Sequence, residues 1–195
     1  MRKIGFVLAV ALVAIALPLA AQADPATNQS VDVTGWNDLG PNPTPDVHGT
    51  ASLIRRDNGV SMSFHTSGLP ANQPVTVWWI IVDPSTGNVV SAQFADGHIV
   101  GGNGVASFAG SLKEGDTSGC FARAPFPCAG LTDARGQVVL LLARVHGDKD
   151  PGRIPDQIHT SEATSVNPAD DLCPLLVDGS RPFCQVQAAL FTPVS

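Results

Sequence analysis

The chain has 195 residues and a formal net charge of −6, with 11 Lys and Arg against 17 Asp and Glu. An acidic, lysine-poor surface repels both nucleic acid and anionic membranes, which argues against either as a partner. Nineteen Gly and sixteen Pro in a chain that is 44% hydrophobic fit a globular body with many turns.

The first residues read as an export signal. Arg2-Lys3 supplies a positive start, Ile4 to Leu19 is apolar apart from Gly5 and Pro18, and Ala21-Gln22-Ala23 is an A-x-A cleavage site. The apolar stretch is short for a bilayer span, and no second run approaches spanning length. Asp24 and not Cys stands directly after the cleavage site, so a lipoprotein is not indicated. The expected layout is a signal peptide over 1–23, an N-terminal arm or edge segment over 24–45, and a single β-sandwich domain over 46–195. The expected location is the periplasm or the medium.

Within the arm, only Val31 to Trp36 has the composition of a strand. His48 to Arg56, the turn Asp57-Asn58-Gly59 and Val60 to Thr66 then form a predicted β-hairpin. Its second arm alternates. Val60, Met62, Phe64 and Thr66 share one face, and Ser61, Ser63 and His65 share a solvated one. Val75-Thr-Val-Trp-Trp-Ile-Ile-Val82 follows, uncharged, rich in β-branched and aromatic residues, and bounded by Pro74 and by Asp83-Pro84. A strand buried on both faces reads this way. Val89 to Ala95 is the next expected strand. Asp96-Gly97 is expected to turn the chain into His98-Ile99-Val100, and Gly101 to Gly104 to turn it again into Val105 to Leu112. Lys113 to Gln137 reads as a long loop, and Val138 to His146 as a second fully apolar strand. Gly152 to Asp171 is irregular and polar, with a short strand expected at Gln157 to Thr160, and Cys184 to Phe191 is the last strand. No stretch of the exported part carries a helical period over three turns. The predicted fold is therefore all-β: an antiparallel, immunoglobulin-like sandwich of about seven to nine strands with long, disulfide-stapled loops.

Cys120, Cys128, Cys173 and Cys184 all follow the signal, and export with an even count favours disulfides. Three connectivities are possible. The local one, Cys120–Cys128 and Cys173–Cys184, closes two short loops. A zinc site built from the four lacks the C-x2-C spacing such sites prefer.

Catalytic patterns are incomplete. Gly115-Asp116-Thr117-Ser118-Gly119 imitates serine- and aspartic-protease motifs, but Thr117 stands at the nucleophile position and no second Asp-Thr-Gly exists. A turn with local Asp and Ser bonds explains it better. Four histidines, His48, His65, His98 and His146, stand at or near strand ends and could converge on copper or zinc, since imidazole ligands need no proximity in sequence. The alternative is that each makes its own hydrogen bond. Arg144 shares parity with Leu140, Leu142 and His146 on an apolar strand, so an acidic or carbonyl partner is expected; Asp116, Asp83 and Asp148 are the acidic choices. A ligand site would draw on His98, Arg144, His146 and Asp116. Asp148, Asp150 and Asp156 depart from the EF-hand spacing for calcium.

His48–Leu53, Ser67–Pro70, Val75–Trp79, Gly97–Gly102, Gly115–Gly119 and Arg144–Gly147 together resemble a group of exported bacterial proteins. The resemblance spans His48 to about His159 and implies no particular activity. Ser-Gly-Leu followed by Gly-His is also similar to the chordin-type (CHRD) domain, which implies a β-sandwich. The His-x-His of that family is reduced here to His98, so no active site carries across. The reading favoured by the sequence is an exported, non-enzymatic binding or structural module without a cofactor, engaging a cell-surface, protein or glycan partner. The alternatives are a copper or zinc protein, and a hydrolase whose loops Lys113–Gln137 and Asp148–Asp171 line a pocket.

Overall fold

The computed structural model describes residues 25–37, 40–41, 46–120, 127–159 and 185–194. They form two antiparallel sheets. β1 (Thr27–Asp32), β4 (Gly49–Arg56), β5 (Gly59–Thr66) and β8 (Ala106–Lys113) make a four-stranded sheet in the order β1-β4-β5-β8. β2 (Thr34–Asn37), β3 (Gly40–Pro41), β6 (Pro74–Val82), β7 (Val89–Ile99), β9 (Val138–Val145) and β10 (Gln185–Phe191) make the second, in the order β3-β2-β10-β9-β6-β7. The expected sandwich is the observed one. Its expected hairpin is β4–β5, paired from Gly49↔Thr66 to Arg56↔Gly59.

Alternation decides what lies between the sheets. Val75, Val77, Trp79 and Ile81 of β6 and Val139, Leu141, Ala143 and Val145 of β9 point inward, against Ala51 and Leu53 of β4, Val60, Met62 and Phe64 of β5, and Phe108 and Leu112 of β8. Phe64 and Phe108 meet edge to face at 6.2 Å. Each large side chain so buried stabilises the fold by roughly 1.5–3 kcal/mol before entropy. The outward parity of the same two strands is apolar as well. Trp78, Ile80, Leu140 and Leu142 gather with Trp36, Phe94 and Ala188 in a second cluster. That is why β6 and β9 read as unbroken apolar runs instead of alternating.

Three expectations are corrected. The turn at Asp96-Gly97 does not exist, because β7 runs unbroken from Val89 to Ile99. The pairing of β7 with β6 shifts between Val77 and Trp78, and the Asp96 carboxylate caps Gly97 N–H with one oxygen at 2.8 Å and Ala109 N–H of β8 with the other at 3.0 Å. Gly97 is needed for close approach: a Cβ there would overlap the carbonyl of Ile158. The short strand at Gln157 is instead a helical turn, α1 (Ile154–Gln157). Gln157 is buried, where its side chain accepts Asp150 N–H and donates to the Asp148 carbonyl, both at 2.9 Å. Thirdly, the strand expected over Val31–Trp36 is divided between β1 and β2 at Val33. That residue is buried at the corner where the chain passes from one sheet to the other.

Cys120 and Cys128 are joined, with Cα atoms 5.7 Å apart. Both lie against the free edge of β7, bridging Gln93 and Ser91, and Phe94 N–H donates to the Gly119 carbonyl at 2.7 Å. The Cys173–Cys184 pairing lies outside the described residues.

Candidate functional site

The outer face of the four-stranded sheet carries short polar side chains in ranks set by strand register. Asp32, Thr50, His65 and Ser107 stand opposite one another across β1, β4, β5 and β8. The next rank is Ser30, Ser52, Ser63 and Ala109, and the third is Asn28, Ile54, Ser61 and Ser111. Arg56 and Lys113 close the far end. Neighbours are spaced by about 4.8 Å across the strands and about 6.8 Å along them. Two cross-strand contacts fix the hydroxyls: Ser52 to Ser63 at 2.7 Å, and Ser107 to Nδ1 of His65 at 2.8 Å. The inward parity of these strands is core, so the sheet is rigid behind the array.

The His65–Ser107 pair has the atoms of a base and a nucleophile without their setting. Asp32 is three strands from Ser107 in the same rank, and two strand spacings of about 10 Å separate it from His65.

The other expected site residues are dispersed. His98 pairs with Val75 and lies between the sheets, its ring stacked on Phe108 with centroids 4.3 Å apart. His146 is 1% exposed at the end of β9, where its Nε2 lies 2.8 Å from Oγ1 of Thr76. The same Thr76 oxygen accepts the indole N–H of Trp78 at 2.8 Å. Arg144 is opposite Thr76 in register, so Arg144 and His146 are the two expected site residues that come together. Asp116 is remote from them. Its carboxylate accepts Ser118 N–H at 2.9 Å, and the bonds from Ser118 hold it below the ordinary carboxylate range. His48 precedes β4 and is exposed, its carbonyl taking Ser67 N–H at 2.8 Å. Of the four histidines considered for metal, His48 and His65 stand one diagonal step apart across β4 and β5, while His98 and His146 lie elsewhere. Among the described residues no group of three His, Cys, Asp or Glu is arranged to hold a metal ion.

None of the acidic partners expected for Arg144 is paired with it. Asp83 caps Ser85, Asp116 caps Ser118, and Asp148 accepts from Gln73 at 3.2 Å. Among the described residues a salt bridge joins Arg135 to Asp57 at 2.9 Å. Asp83 and Asp116 belong to turns whose own N–H groups are nearer.

Sequence reasoning missed Arg55. It is fully buried, and its Nη1 donates to the carbonyls of Ala134 and Gln137 at 2.7 and 2.9 Å. Its Nη2 reaches the Thr192 carbonyl at 3.1 Å. Burial pushes its pKa down to about 10. Parity with Ala51 and Leu53 was the available signal.

No protein-family model, curated protein or solved structure matches the chain. Among the described residues no helix is long and apolar enough to cross a membrane.

Proposed function

We propose that the protein is an exported, non-enzymatic module that holds a polyhydroxylated polymer of the cell surface or matrix against its four-stranded sheet. The observation that carries this reading is the ranked array of Ser, Thr and Asn side chains on that face. Short side chains lose little rotamer freedom on contact, and each hydroxyl both donates and accepts. A flat set of such groups suits a sugar polymer, whose own hydroxyls repeat along a ribbon. The signal-like start of the chain and the Cys120–Cys128 disulfide support export.

The test is co-sedimentation of the exported chain with insoluble polysaccharides: cell-wall sacculi, chitin and cellulose. Ala109→Lys and Ser111→Glu place long or charged groups on exposed positions of the array and leave the core alone. At least one polymer should retain the native chain, and both substitutions should weaken retention about tenfold or more, as blocked contacts at an interface centre do. Failure of every polymer to retain the native chain, or equal retention of the variants, refutes the reading.

A further inference from the structure

We infer that two copies of this chain pair through β1, edge to edge and antiparallel, joining their four-stranded sheets into one of eight strands. This goes beyond the polymer-binding reading and stands without it.

Sheet edges left open are sites of strand addition, and folded proteins guard those they do not use. Three of the four edges here are guarded. The disulfide loop hydrogen-bonds along β7. β8 turns against β7, with Ala109 N–H on Asp96 and Gly110 too close to the Ala95 carbonyl for a relaxed side chain. β3 has two residues, one of them Pro41, which has no N–H to offer. β1 is different. It has six residues with no Pro, no basic residue and no bulge in its pairing with β4. Among the described residues no other strand takes its outward backbone groups. Its geometry is held: Arg135 donates to the Pro25 carbonyl at 2.9 Å and to Thr27 Oγ1 at 3.1 Å, and Arg55 holds Gln29 at 2.7 Å.

The occupant is a second copy because the edge complements itself. A two-fold axis at Ser30 sets Ser30 opposite its counterpart, Asn28 opposite Asp32, and Gln29 opposite Val31, so no like charges face each other. Asp32 lies at one end of the outer face and Arg56 and Lys113 at the other. Antiparallel pairing therefore turns Asp32 of each copy toward the Arg56 end of its mate, with Arg56 two strand spacings and one rank away.

The experiment is sedimentation equilibrium of the exported chain from micromolar to millimolar concentration, with Asn28→Lys and Asn28→Asp. Asn28 is exposed, and circular dichroism checks that both variants fold. The native chain should reach a dimer within that range. The ammonium introduced by Asn28→Lys would face Asp32 of the mate twice per dimer and tighten association about fivefold, while Asn28→Asp would weaken it about fivefold, the scale of cross-strand charge pairs. A native chain that stays monomeric throughout overturns the inference. So does a dimer whose affinity ignores both substitutions, because it must then form elsewhere.

Discussion

Arg55 donates its Nε–H to Oε1 of Gln29 at 2.7 Å, and the remainder of its guanidinium ends on main-chain carbonyls. A buried cation is thus held by neutral oxygens from β1, the turn before β9 and the end of β10. Coulombic attraction from Asp133 opposes the larger effect of desolvation. Replacing the guanidinium by a thioether of similar length strands those carbonyls without donors. Arg55→Met should destabilise the fold by about 3–5 kcal/mol, since the loss of a buried charged donor leaves its partners unpaired. Arg55→Lys should recover little, because one ammonium cannot reach three segments at once. Urea denaturation reads both values. A native-like midpoint for either variant would show that the carbonyls find water instead.

Gly97 faces the carbonyl of Ile158, and a Cβ there would overlap it. Gly97→Ala should therefore push the α1 segment off β7 and cost about 1–3 kcal/mol, as overpacking does. Gly87 is the control. Nothing lies within 4 Å of its would-be Cβ, but its φ is +71°, so Gly87→Ala should cost only about 1 kcal/mol of left-handed strain. Thermal melts of the two variants check the order, and Gly97→Ala should also raise proteolysis around Ile154–Gln157.

Two-residue periodicity made most of this fold legible. Val60 to Thr66 alternates because one face is core, and Val75–Val82 does not alternate because both faces are covered. What stayed hidden depends on contacts distant in sequence. Asp96-Gly97 has turn composition, yet the carboxylate serves Ala109 and the glycine admits Ile158. Arg55 stood beside Arg56 and the Asp57 turn, where a solvated strand end is the natural reading. Its partners lie as far as Thr192. The hydroxyls of the candidate site were visible singly. Their ranks were not, since rank is a property of register between four strands and no single strand encodes it.

The Cys120–Cys128 bond holds the loop whose ends bridge β7. Replacing both cysteines by serine should cost about 2–3 kcal/mol, the loop-closure value for a ring of this size. It should also loosen the cover on the β7 edge. Light scattering on heating should rise earlier for the variant than its lowered midpoint alone explains, because an uncovered edge pairs with other chains. Equal scattering at matched fractions unfolded would show that the loop stays on β7 without its bond.

Asp83 accepts both the N–H and the hydroxyl of Ser85, at 2.8 and 2.7 Å, and these bonds hold its pKa below the ordinary 3.8. The native state therefore binds fewer protons than the unfolded state in that region. Its contribution is complete above the ordinary carboxylate value and is lost as pH falls through the lowered one. Asp116 follows the same rule through Ser118. Asp83→Asn should flatten the decline of the melting temperature between about pH 4 and pH 2.5 and leave the slope above about pH 5 unchanged. A decline identical to the native one would assign acid sensitivity to other carboxylates.

Thr76 ties the buried end of β9 to the outer aromatic cluster, through Nε2 of His146 and Nε1 of Trp78, each at 2.8 Å. Valine has the same shape and no hydroxyl, so Thr76→Val removes one partner from each of two buried polar groups without opening a void. The expected cost is about 2–3 kcal/mol, two unmade hydrogen bonds in a low-dielectric site. Thr76→Ser keeps the oxygen and should lose about 1 kcal/mol for the missing methyl. The indole emission of Trp78 separates a local effect from a global one: it should shift in the folded Val variant and not in the Ser variant. If Val is tolerated as well as Ser, the hydroxyl is a bystander, and contacts such as the packing of Trp78 against Phe94, 5.8 Å between ring centres, outweigh it at this end of the sheet.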